Sequence, residues 1–165
     1  MQDRVIISGK TSTAMKKAKK IGVFLLIILV IMQLVQPEKN VSDGIAATDI
    51  SNVYALPDGV HKIFVKKCYD CHSNNTHYPW YAHVQPIGWW LAAHVHEGKE
   101  HFNFSTFKDL PPNKAAHQLE ELAEVIEERS MPLKAYTLLH AGTELTAEDE
   151  QAIKAWLASI EVESH

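Results

Sequence analysis

The chain has 165 residues, 46% of them apolar and 22% charged, which suits one ordinary globular domain with an appendage. Its 16 Lys/Arg and 20 Asp/Glu are unevenly spread: residues 1–40 carry seven bases and two acids, leaving nine bases against eighteen acids for the rest. An acidic body repels phosphate backbones, so nucleic-acid binding is excluded; such a surface suits solubility or a basic protein partner.

Met1 to Thr13 is polar and aperiodic and reads as a short disordered tail, part of a basic cytoplasmic segment over 1–20. Lys16, Lys17, Lys19 and Lys20 then precede an apolar run from Ile21 to Met32 that continues past Gln33 through Leu34 and Val35. At 15 residues the run is long for a signal-peptide core and short for a spanning helix of about 20 residues. No small-x-small cleavage site follows, so an uncleaved anchor is expected over 21–36, lengthened by snorkelling lysines and by Gln33 and Gln36 at the interface. Lysines ahead of the run put the N-terminus in the cytoplasm. Everything after Pro37 then lies outside: a single-pass inner-membrane protein with a periplasmic C-terminal domain.

Residues 37–55 form a polar, weakly patterned linker, with Asn40–Asn52 as a tether. Leu56-Pro57-Asp58-Gly59 opens the domain, expected over 56–162, with turn and helix-start chemistry, and Val60, Ile63, Phe64 and Lys67 follow at helical spacing. That helix runs into Cys68-Tyr69-Asp70-Cys71-His72, which holds the only two cysteines of the chain. The C-x-x-C-H spacing is that of a c-type haem site: one helical turn presents both thiols to the two vinyl groups of haem, and the next residue places an imidazole under the iron. Cys68 and Cys71 are therefore the expected attachment points for one haem, and His72 its proximal ligand. Rival readings are weaker. A structural zinc needs further cysteines or a histidine pair, a redox dithiol needs a strand-to-helix turn, and a plain disulfide leaves His72 without a role. Phe64, four residues before Cys68, stands where class I cytochromes c carry an aromatic against the haem edge and the last helix.

After the motif, Tyr78-Pro79-Trp80-Tyr81 and Pro86-Ile87-Gly88-Trp89-Trp90 concentrate three of the four tryptophans within eleven residues. Wide rigid side chains of this kind suit covering a porphyrin plate; the plainer reading is a domain core. A helix follows over Leu91–Glu100, with His94, His96 and His101 nearby and no recognisable metal site among them.

These strings, together with His94-Val95-His96-Glu97-Gly98-Lys99, Asn103-Phe104-Ser105 and the Pro37-Glu38-Lys39-Asn40 end of the anchor, resemble the bacterial haem-binding domain family, small membrane-anchored proteins with a single C-x-x-C-H. The resemblance runs from about Gln36 to Ile160 and departs at Lys99, where arginine is typical. It implies one covalent haem and a cytochrome-like helical fold, without a defined reaction.

Asn113–Arg129 reads as an amphipathic helix with Leu119, Leu122 and Ile126 inward and a run of glutamates outward. Met131, 59 residues after His72 and beside Pro132, is the only methionine of the domain and the expected distal iron ligand; His83, His94 and His140 compete for that role. Thr146 should cap a last helix whose stripe Ile153, Trp156, Leu157 and Ile160 crosses the first near Phe64. The expected fold is all-α and class I cytochrome c-like, and the expected role is single-electron transfer with an unidentified redox partner protein. A haem sensor or small peroxidase with an open iron site remains the alternative, and a C-x-x-C dithiol oxidoreductase follows it. No nucleophile with an adjacent base is evident, so an electron-transfer protein is favoured over an enzyme.

Overall fold

The structure is a computed structural model describing residues 6–163. Among the described residues it is all-helical, with helices α1 (Ile6–Met32), α2 (Asp58–Lys67), α3 (Tyr69–His72), α4 (Ile87–His101), α5 (Pro112–Glu127), α6 (Lys134–Leu139) and α7 (Ala147–Glu163). Short 3₁₀ turns occupy Ile50–Asn52, Trp80–His83 and Phe104–Asp109. The chain divides into two compact units, one taking the chain up to Glu38 with Pro79–Leu91, the other Lys39–Tyr78 with the chain from Ala92 onward.

In the first unit, helix α1 begins earlier than the polar composition of its start suggests. Of the expected disordered tail, Met1–Val5 lie outside the described residues, whereas Ile6–Thr13 are helical. Once the apolar stretch has nucleated a helix, each further residue gains a hydrogen bond at little added cost, so mediocre helix formers are carried along. The expected spanning helix over 21–36 is not found: no helix among the described residues is long and apolar enough to cross a membrane. Helix α1 ends at Met32, and its apolar part from Ile21 rises only about 18 Å, against about 30 Å of bilayer hydrocarbon.

Gln33 and Gln36, expected at an interface, instead hold Gln85. Gln33 accepts from the Gln85 N–H at 2.9 Å and donates to its carbonyl at 3.1 Å, while the Gln85 amide donates to Gln36 at 3.0 Å. Gln85 is thereby fully buried with its polar atoms satisfied. Trp89 Nε1 donates to the Val35 carbonyl at 2.8 Å. Gly88 is required beside them, because a Cβ there would run into the Ala82 carbonyl and the Gln85 side chain. The clustered tryptophans of this unit do not build a core: Trp80 is 79% exposed and Trp90 51%.

The second unit's core comes from elsewhere. Phe64, Phe104, Phe107, Ile126, Ile153 and Trp156 are buried together with Ile50 and Tyr69. Phe64 meets Phe104 at 4.9 Å between ring centroids and Trp156 edge-on at 5.5 Å, so α2 and α7 pack across one another as the stripe predicts. Thr146 caps α7 as expected: its hydroxyl accepts from the Asp149 N–H at 3.2 Å, and Asp149 accepts from the Thr146 N–H at 2.8 Å, a reciprocal capping box. Asp149 also pairs with Lys67, the last residue of α2, whose ammonium donates to the Glu144 carbonyl at 2.6 Å as well.

The stretch read as a tether is built into this unit. Asp49 and Ile50 are completely buried, and Thr48 donates to the Ser105 carbonyl at 2.6 Å. Polarity made the segment look like a linker; it is polar because Asp49 accepts from the Ser51 N–H, the Ser51 hydroxyl and the Tyr69 hydroxyl.

Candidate haem-binding site

The end of α2 and the single turn of α3 set the geometry of the motif. The Cys68 N–H still donates to the Phe64 carbonyl at 2.9 Å, and Cys71 and His72 both donate to the Cys68 carbonyl, at 3.1 and 3.0 Å. Two thiols and one imidazole therefore share one turn, anchored to the most buried residue of α2. Both cysteines are free and half-buried. Burial first, and then the negative charge of the neighbouring Cys71, push the Cys68 thiol up to about 12; burial and Asp70 push Cys71 to about 11.

His72 Nδ1 lies 2.9 Å from the Phe102 carbonyl. A carbonyl only accepts, so Nδ1 carries the proton and Nε2 keeps its lone pair. Burial lowers the imidazole's pKa against the opposing pull of the Phe102 and Gly98 carbonyls, which favours the neutral ring a metal ligand must be. Helix α4 supplies the Gly98 carbonyl from its last turn, and Phe102, the residue directly after it, supplies the other. A Cβ on Gly98 would sit 2.9 Å from the Cys71 carbonyl oxygen, so glycine is needed there.

The two residues between the cysteines point opposite ways. Tyr69 stacks on Phe104 at 4.7 Å and donates to buried Asp49 at 3.0 Å, so it fastens the turn to the core. Asp70 faces outward: one carboxylate oxygen accepts from the His77 N–H at 2.9 Å, the other from the Tyr136 hydroxyl at 2.8 Å. Asn40 ties the chain after the motif, donating to the Ser73 carbonyl at 2.7 Å and to Thr76 at 2.9 Å, while Lys99 donates to Asn40. A cleft of about 320 Å³ with a mixed lining, Ile45 and Val65 beside Asp49, Asp70, Ser73 and Thr76, lies next to the turn and is lined by neither thiol nor His72.

Met131 is half-buried in the segment between α5 and α6. Helix α5 stops two residues before the expected Arg129, which takes a left-handed conformation (φ 55°), and the Ser130 N–H donates back to the Val125 carbonyl at 3.2 Å. This is the Schellman ending, with arginine where glycine is usual. Arg129 is held there by Glu150 of α7 at 2.9 and 3.0 Å. On the far side of Met131, Tyr136 of α6 reaches Asp70 of the motif. Of the competing histidines, His140 caps α6 and stacks on Tyr136 at 4.2 Å, His94 lies within α4, and His83 belongs to the first unit.

A family model described as haem-binding domain matches residues 27–159, most of the chain. The chain belongs to the haem-binding domain family. Neither a curated protein nor a solved structure matches it.

The residues present fit haem. The haem-binding domain offers free thiols at Cys68 and Cys71 on one turn, and beside them a neutral imidazole whose Nδ1 is engaged and whose Nε2 is left to coordinate. Among the described residues no group of three or more His, Cys, Asp or Glu stands together. Sequence reasoning missed the residues that orient the motif: Asn40, Asp49, Gly98, Phe102 and Tyr136. Asn40, Gly98 and Lys99 fell within strings shared with the family; Asp49, Phe102 and Tyr136 carried no sequence signal.

Proposed function

We propose that this haem-binding domain holds one haem c covalently through Cys68 and Cys71, with His72 as proximal and Met131 as distal iron ligand, and that it carries single electrons to or from a protein partner. The observation that supports this best is the His72–Phe102 hydrogen bond. It fixes ring orientation and tautomer before any metal is bound, as partners of metal-ligating histidines do. Bound haem would supply a one-electron ferric/ferrous couple; the chain's own part is to hold the ligands still and limit water. The crossing of α2 and α7 at Phe64 and Trp156, with the motif directly after α2, supports a class I cytochrome c-like arrangement.

The raised thiol pKa values speak against the dithiol oxidoreductase reading. A redox-active C-x-x-C lowers the pKa of its attacking thiol, whereas burial here does the opposite. We also propose attachment to the outer face of the inner membrane through α1, whose Ile21, Phe24, Leu25, Leu26 and Ile27 are more than half exposed. Lys16, Lys17, Lys19 and Lys20 precede this apolar face and suit the anionic headgroups beside it.

The test is the full chain co-expressed with haem-attachment machinery. Haem that stays with the polypeptide on a denaturing gel, and is lost in the Cys68→Ser/Cys71→Ser variant, is the expected result. Haem released from the wild type by denaturation would rule out covalent attachment. Carbonate-resistant membrane association of the wild type, lost on deleting residues 1–36, is expected for the anchor.

A further inference from the structure

The segment carrying Met131 is tied to the molecule at both ends and buried at neither. No residue from Glu127 to Gly142 is buried, and Leu138 of α6 is 84% exposed. What holds the near end is the Schellman turn with the Arg129–Glu150 pair; what holds the far end is Tyr136. The acceptor for Tyr136 is no arbitrary surface group. It is Asp70, between the two cysteines, and its carboxylate is already aimed by the His77 N–H while its carbonyl is held by the Thr76 hydroxyl at 2.7 Å. Tyr136 is close enough to Cys68 and Cys71 for both to act on its hydroxyl, so α6 lies on the thiol side of the motif. The backbone between is short: the Tyr136 N–H donates to the Leu133 carbonyl at 2.9 Å, and Leu133 is two residues from Met131.

We propose that Tyr136, through its hydrogen bond to Asp70, is the positioning residue that holds segment 130–139, and with it Met131, on the haem motif. The proposal rests on the haem c reading above. In consequence, a residue inside the C-x-x-C-H motif that touches neither vinyl group nor iron helps decide which side chain fills the sixth iron position. Loss of one hydrogen bond to a charged acceptor corresponds to about a tenfold shift toward the open segment. His140 is stacked on Tyr136 and moves with it once the tie is cut.

The experiment compares the haem-loaded full chain with its Tyr136→Phe, Asp70→Ala and doubly substituted variants. Covalent haem content on a denaturing gel is measured first, and a wild type without it defeats the haem c reading alone. Amide hydrogen exchange, measured on whatever form is purified, reports the segment, and carbon monoxide association to the ferrous form reports the sixth position. Exchange over 130–139 is expected to quicken about tenfold in either single variant, with α2 and α7 unchanged and the double variant no faster than the singles. Carbon monoxide association should quicken by a similar factor, and the long-wavelength Met–iron band should weaken. Exchange within twofold of wild type would overturn the proposal, as would equal quickening in α2 and α7 or faster exchange without faster carbon monoxide binding.

Discussion

The motif turn and the Met131 segment are held by different physics. Beneath the turn lie Phe64 and Tyr69, and beside it the Gly98 contact and the Phe102 carbonyl, so moving His72 means disturbing the phenylalanine core. The Met131 segment has no buried residue of its own and depends on polar ties at its two ends. Burial of an aromatic side chain stabilises by several kcal/mol, whereas a partly exposed ion pair or one hydrogen bond to a charged group contributes about 1–2 kcal/mol. The motif turn is therefore as stable as the domain, and the Met131 segment is free to open locally without unfolding it.

The strongest way to break that contrast is Phe64→Ala. It removes a fully buried ring packed on Phe104 and Trp156, and a loss of about 3–5 kcal/mol is expected in denaturant melts, with the motif disordered along with the core. Next comes Gly98→Ala, whose Cβ would press on the Cys71 backbone. A net cost of about 1–3 kcal/mol is expected despite alanine's better helix propensity, accompanied by weaker protection of the His72 ring proton in NMR; unchanged stability would mean that α4 yields easily.

Acid sharpens the contrast on the proximal side of the haem-free chain. His72 has a folded pKa lowered from 6.5, so its contribution is complete above that pH and fades as pH falls toward the folded value. In that window the unfolded chain binds more proton than the folded one, so stability should fall with pH by at most about 1.4 kcal/mol per unit from this group. His72→Asn should remove that part of the slope in melts taken across the window. The smallest effect is expected from Arg129→Gly. Glycine relieves the left-handed backbone by about 1 kcal/mol while the two-point pair with Glu150, exposed only on the arginine side, is lost, so a net cost of about 1 kcal/mol or less is expected. A large loss would show that the Met131 side is held more firmly than its exposure suggests.

Much of this organisation was legible in the chain. The period of Ile153, Trp156 and Leu157, the capping Thr146 and the approach of Phe64 to the last helix follow from local pattern and reappear in the structure. The misreadings share one cause. Polar residues at 40–52 looked like a tether, and tryptophans at 80–90 allowed a domain core. Yet Asp49 is buried because three donors meet it, and Trp80 and Trp90 stand open. Polarity predicts exposure only where partners are absent, and partners arrive from distant sequence.

By itself the sequence determined the helical class, the turn that bears Cys68, Cys71 and His72, and the stripe that closes the domain over it, because spacing within one or two turns dictates them. Tertiary structure alone decided which His72 nitrogen is left free, through a carbonyl thirty residues away. It alone decided which way the two residues inside the motif face, since Asp49 and Tyr136 approach from opposite ends of the chain. Hydrogen bonds of this range leave no period in a sequence; they exist only once the core has brought their partners within 3 Å.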